Sequence, residues 1–137
     1  MVIYKMSEKR PIDYSSLALA YIGDGVYDIF IREKMINEHP DYPAHKLHME
    51  TVKFVSANAQ SLSMERIEES LTEEEMAVYK RGRNAKSPTS AKNASIIDYR
   101  RATGFEALLG FLHLSGEFER LQIIMTKAYN AVKKGQI

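Results

Sequence analysis

Two acids stand where acids are out of place. Asp24 lies between Gly23 and Gly25 in the stretch LALAYIGDGVYDIFIR (Leu17 to Arg32), and Glu106 interrupts the apolar run FEALLGFL. Gly110, one turn beyond Glu106, is small enough to let another helix approach closely, which would bring a glycine-flanked acid near it. The competing reading is two lone acids solvated at helix edges, the ordinary fate of such residues. Asp28 fits a structural role, because it precedes Arg32 by four residues in the favourable order of a helix surface pair. Tyr21 carries a polar tip that suits either a buried hydrogen bond or an interface. His45 and His48, three apart, could share a face for a metal, but no third ligand is near them in the chain. Lys80, Arg81, Arg83 and Lys86 supply phosphate-binding charge among Gly, Asn, Ser and Thr, which points to nucleic acid against the plainer reading of a solvated charge run.

Helices must position these residues. Leu19, Ile22, Val26, Ile29 and Phe30 recur at three- and four-residue steps, one face of a buried helix. Inside it each glycine costs about 1 kcal/mol relative to alanine, and aspartate prefers caps, so the Gly-Asp-Gly triplet breaks a local rule. Either it marks a functional or strained site, or the helix ends at Gly23 and restarts with Asp24 as the N-cap of a second piece. The spacing predicts a long helix from about Asp13 to about Asn37, after an arm or short helix ending near Pro11, and then a turn over His39, Pro40, Asp41 and Tyr42.

Pro43 suits the first position of a second helix with the inward stripe Leu47, Thr51, Phe54 or Val55, Ala59 and Leu62; a weaker piece, Met64 to Leu71, follows. Thr72 with Glu75 reads as a capping box opening a helix to about Arg81, ended by Gly82. The segment GRNAKSPTS, 82–90, is a basic loop that Pro88 keeps from being helical. Ile96, Ile97, Ala102, Phe105, Leu108, Leu109 and Leu112 mark an apolar helix stopping near Gly116. Phe118, Leu121, Ile124, Met125 and Ala128 mark another stopping near Gly135. Nothing alternates with period two, so the predicted class is all-α, with six or seven helices in an antiparallel bundle-like arrangement.

The 137 residues suit one domain, 45% hydrophobic and 27% charged, with no low-complexity segment. Cysteine is absent, which excludes a disulfide scaffold and thiolate metal sites. The start, MVIYKMSEKRP, lacks the apolar core of a signal peptide and no apolar run approaches ~20 residues, so a cytoplasmic protein without a membrane segment is expected. A net charge of +1 gives no whole-molecule argument for nucleic acid. The distribution does: Lys80 to Arg101 holds seven basic residues against the single acid Asp98, whereas Glu65 to Glu75 holds six glutamates against Arg66. The seven methionines are scattered singly and read as gap-fillers in the core.

AYIGDGVYDIFIRE resembles the signature of the ribonuclease III family, whose core is an acid, an aromatic, an aliphatic residue, Gly and Asp. FEALLGFL resembles that family's second signature around Glu-Ala-Leu-Ile-Gly. Together with KLHMETVKFVSANAQ, RGRNAKS and YRRATGFEALLGFL, in a short chain without an attached double-stranded-RNA-binding domain, the likeness is to the family's Mini branch in bacteria and covers the catalytic domain in length and order. It implies a homodimeric all-α endoribonuclease that uses Mg²⁺, with Mn²⁺ as its substitute, to cut double-stranded RNA into 5′-phosphate and 3′-hydroxyl ends. Members of that branch mature the ends of large-subunit (23S) ribosomal RNA precursors.

By this likeness Asp24 and Glu106 fall on metal-holding catalytic carboxylates, and Tyr21 on the aromatic that plugs into the partner subunit. Lys80, Arg81, Arg83 and Lys86 remain the RNA-binding candidates. Two positions depart from the longer family pattern: the acid four residues before Asp24 is Ala20, and the aspartate three before Glu106 is Thr103. The implied site is therefore sparse, and RNA phosphate oxygens and water would complete the Mg²⁺ shell. Those departures also motivate an alternative, a non-catalytic RNA-binding or ribosome-assembly protein on the same fold. A purely protein-binding helical module would leave the glycine-flanked acid and the basic loop without a use.

Overall fold

Ser15 accepts a hydrogen bond from the Ala18 amide at 3.1 Å and so starts the longest helix, α1 (Ser16–Glu38), after a 3-10 turn at Pro11–Asp13. The structure is a computed structural model that describes residues 8–86 and 95–135. Helix α1 runs unbroken through Gly23, Asp24 and Gly25, so Asp24 is a helix-interior residue and not an N-cap. Its buried face is Leu19, Ala20, Gly23, Tyr27, Phe30, Ile31 and Met35. Ile22 and Val26 are only half-buried and Ile29 is 55% exposed, a shift from the face that apolar spacing predicted. Spacing could not count Gly23 as inward-facing, because it has no side chain to weigh.

The next predicted helix is two. α2 (Ala44–Val55) stops at Ser56, whose extended backbone (φ −63°, ψ 157°) breaks the run and whose hydroxyl caps α3 (Ala57–Ile67) by accepting from the Ala59 amide at 3.2 Å. Pro43 is the N-cap residue of α2 and not its first helical residue. A 3-10 turn, Glu68–Ser70, leads to α4 (Glu73–Arg83), opened by the predicted capping box of Thr72 and Glu75. Arg120 from the last helix forks onto both Glu75 oxygens at 2.8 Å, holding that carboxyl below the usual range and tying the start of α4 to that helix.

Helix α5 (Ile96–Leu114) begins at Ser95, whose hydroxyl accepts from the Asp98 amide at 3.0 Å, and ends before Gly116, the only described glycine with positive φ (73°). It is the central helix: α1, α3, α4 and α6 (Phe118–Gly135) all pack on it. From Ala102 to Leu112 every residue is buried except Glu106. The first turn behaves otherwise, for Ile96 and Ile97 are 65% and 69% exposed and belong to no core stripe. Among the methionines, Met35, Met64 and Met125 fill core positions while Met49 is exposed.

Two glycine crossings let other helices reach α5. A Cβ on Gly23 would lie 1.7 Å from the Glu106 carbonyl oxygen, and one on Gly110 would lie 1.9 Å from that of Leu19, so α1 and α5 meet backbone to backbone. Gly82 meets Gly104 similarly: a Cβ on Gly82 would be 3.0 Å from the Gly104 Cα, and one on Gly104 2.7 Å from the Tyr79 carbonyl oxygen. Gly82 is therefore a contact inside α4, which continues to Arg83, and does not end the helix. No strand occurs among the described residues, and the class is all-α as predicted. No described helix is long and apolar enough to cross a membrane.

Candidate active site

The α1–α5 crossing fixes the relation of the two acids. Gly23 lies against the backbone of Glu106, so the next residue along α1, Asp24, has its carboxyl group beside that of Glu106. Asp24 is exposed and Glu106 half-buried, so the pair sits at the rim of the core with one member open to solvent. Burial pushes the Glu106 carboxyl up to about 8, with the adjacent Asp24 adding to the rise and the Gln60 amide opposing it. Two neighbouring carboxylates at one rim can share a cation, because a deprotonated pair presents adjacent oxygen donors.

That donor set fits a hard divalent ion held with few protein ligands. Among the described residues no group of three or more His, Asp or Glu side chains could hold a metal, so any ion at this site takes its remaining ligands from solvent and substrate. The two departures account for the sparseness. Ala20, one turn before Asp24, is 7% exposed in the core; Thr103 is buried, and its hydroxyl donates to the Tyr99 carbonyl at 3.0 Å. His45 and His48 are exposed on α2 without a third ligand among the described residues.

Gln60 is the participant that the sequence did not single out. It is 1% exposed on α3, and its side-chain nitrogen donates to the Val55 carbonyl at 3.1 Å and to Glu106 Oε2 at 3.3 Å. A single helix across 43–62 gives a stripe through Ala59 and Leu62 and leaves Gln60 off it. The break at Ser56 re-phases α3, and Gln60 turns inward with Ser63, Met64 and Ile67.

The basic candidates separate into two kinds. Lys80 and Lys86 are exposed at the end of α4 and just beyond it. Arg83 is half-buried, with its guanidinium over the Tyr79 ring at 5.7 Å and donating to Asn84 Oδ1 at 3.2 Å. Arg81 is engaged within the chain: it donates to Ser16 Oγ at 2.8 Å and to the Ile12 and Tyr14 carbonyls at 3.0 and 2.7 Å, pinning the segment before α1 to α4. The rest of the predicted loop, 87–90, lies outside the described residues. Ser16 is two turns before Asp24 on α1, about 12 Å along the axis, so this basic end lies near the acid pair without touching it. Tyr21 is 81% exposed, one turn before Gly25 on the outer side of α1. Asp28 pairs with Arg32 at 2.8 Å, the structural role its spacing predicted.

Comparison with known proteins gives a consistent picture. Residues 17–117 match the Ribonuclease III domain. The chain is 56% identical over 114 residues to the Mini-ribonuclease 3 of Clostridium tetani, covering 83% of this chain and 76% of that one. It is 45% identical over 129 residues to the Mini-ribonuclease 3 of a Thermoanaerobacter species, covering 94% and 90%. A crystal structure of a protein from Fusobacterium nucleatum superposes with a TM-score of 0.80 at 31% identity, covering 94% of this chain and all of that one.

Proposed function

The chain belongs to the ribonuclease III family, and from that premise we propose that it is a Mg²⁺-dependent endoribonuclease that cuts double-stranded RNA at the Asp24–Glu106 pair. The observation that carries this reading is the crossing at Gly23 and Gly110, which sets one exposed and one half-buried carboxyl side by side at the rim of the core. A divalent cation held by Asp24 and Glu106 would supply Lewis-acid polarisation of the scissile phosphate and stabilisation of the charge that develops on it. Asp24, open to solvent, offers oxygens toward the substrate side. Glu106, in its deprotonated form, would be the second ligand, and its position against the α1 backbone keeps the two acids in register.

Hydrolysis needs no side-chain nucleophile in this scheme: a water attacks phosphorus, the bond to the 3′ oxygen breaks, and the products carry 5′-phosphate and 3′-hydroxyl ends. Lys80, Arg83 and Lys86, with whatever Arg81 has left to donate, contribute phosphate contacts at one end of α1. A-form RNA offers its wide minor groove, 2′-hydroxyls and phosphates, so a small helical protein can read its shape with little base readout. Large-subunit (23S) ribosomal RNA precursors are the proposed natural substrate, with Mn²⁺ able to stand in for Mg²⁺.

A homodimer is part of the same proposal, since two symmetry-related sites suit the two strands of a duplex. Tyr21, a large aromatic exposed one turn from Asp24, is its proposed contact. The competing reading, an RNA-binding protein without catalysis, draws on Ala20 and Thr103 alone. Incubating the protein with duplex RNA and Mg²⁺ distinguishes them: cutting that yields 5′-phosphate ends and stops on chelation is expected, whereas binding without cutting sinks the enzymatic reading.

A further inference from the structure

We propose that Gln60 is a positioning residue for the Glu106 carboxylate, clamping Oε2 so that this ligand is presented to a divalent cation in one orientation. The inference rests on the two-carboxylate site and adds a residue to it. Gln60 is 1% exposed, and both hydrogens of its side-chain amide have acceptors, the Val55 carbonyl at 3.1 Å and Glu106 Oε2 at 3.3 Å. The Val55 bond fixes which end of the amide faces Glu106, because a carbonyl accepts only from the NH₂ end. The amide therefore ties the end of α2 to a residue of the central helix through α3.

Its other end is informative. Gln60 Oε1 is buried without a hydrogen-bond partner. A buried acceptor left unmatched opposes folding, so filling this space alone would suit an apolar side chain of the same length better. What the amide supplies that an apolar group cannot is the donor to Glu106. Such outer-shell donors orient metal-binding carboxylates, and losing one typically weakens metal affinity or activity by about 10- to 100-fold.

The test compares the parent with Gln60→Met, Gln60→Asn and Asp24→Asn. Mn²⁺ binding to the free protein is read by electron paramagnetic resonance, and the Mg²⁺ dependence of duplex cutting is read alongside it. Gln60→Met keeps length and removes the unmatched oxygen, so its helical circular dichroism and melting temperature should stay near the parent's. Its Mn²⁺ dissociation constant and its half-saturating Mg²⁺ should each rise about tenfold, while the cutting rate at saturating Mg²⁺ stays within about threefold. Gln60→Asn, which keeps the amide but withdraws it by one methylene, should give the same rise and serves if the methionine variant does not fold. Unchanged metal affinity in both Gln60 variants, with affinity lost in Asp24→Asn, overturns the role of Gln60 and leaves the site standing. Unchanged affinity in all three overturns the two-carboxylate site as well.

Discussion

Glu106 is a carboxyl held partly inside a helical core, and its environment makes a prediction about pH. Its folded-state value, raised to about 8 first by burial and then by Asp24, lies above the value of about 4.3 for an exposed glutamate. Between those values the folded state binds more protons than the unfolded chain, so this group's contribution is fully present below the window and lost as pH rises through about 8. In the absence of divalent cation the melting temperature should decline between about pH 5 and about pH 8, and Glu106→Gln should flatten that decline; an equal slope in both proteins contradicts the assignment. A cation must displace the same proton, so half-saturating Mg²⁺ should fall as pH rises across the window. Glu106 was legible in the sequence because it is the one acid in an apolar run. Gln60 was not, because its inward direction depends on the helix break at Ser56, which periodicity smoothed into a single helix.

At the scale of elements, glycine decides where helices touch. Gly23 and Gly110 lie where an added methyl would run into the backbone of the opposite helix, and backbone cannot move aside as a side chain can. Gly23→Ala or Gly110→Ala should each cost about 1–3 kcal/mol by overpacking and should lower cutting further by separating Asp24 from Glu106. Gly25 is the contrast, since nothing lies within 4 Å of a Cβ built there. Gly25→Ala should stabilise α1 by up to about 1 kcal/mol on helix propensity. A melting temperature that rises while cutting falls would assign Gly25 to close approach of the RNA backbone; a fall in melting temperature contradicts the open environment. The sequence marked Gly110 correctly as a place of close approach and misread Gly82 as a helix end, because a glycine packed inside a helix and one that terminates it look alike without the partner Gly104. Elements themselves were mostly legible, from the capping box at Thr72 to the stop at Gly116. Their buried faces were less so wherever glycine or an exposed first turn, as at Ile96 and Ile97, carried the geometry.

Across the whole molecule the charges nearly cancel, at +1, so attraction to a polyanion depends on where they lie. Lys80, Arg83 and Lys86 sit at the α4 end of the molecule, and Arg81 among them is engaged in holding the segment before α1. These residues should therefore differ in kind. Replacing Lys80 and Lys86 with alanine should leave the melting temperature near the parent's and make the log–log salt dependence of duplex binding shallower by roughly 0.9 for each phosphate no longer neutralised. Arg81→Ala should lower the melting temperature instead, because it removes three intramolecular hydrogen bonds. An unchanged salt slope in the double lysine variant rejects the phosphate role of this end of the molecule. Charge asymmetry along the chain showed where to look, but only the folded contacts separate the arginine that builds the protein from the lysines that face outward.

The proposed chemistry requires Asp24 and Glu106 to act as one site, and the decisive measurement is cutting of duplex RNA by Asp24→Asn and Glu106→Gln in saturating Mg²⁺. Both variants should bind duplex RNA about as well as the parent and cut it at least ~100-fold more slowly, beyond the usual effect of an outer-shell change. Cutting within a few-fold of the parent in either variant, with folding and RNA binding intact, would contradict the claim that this pair is the catalytic centre.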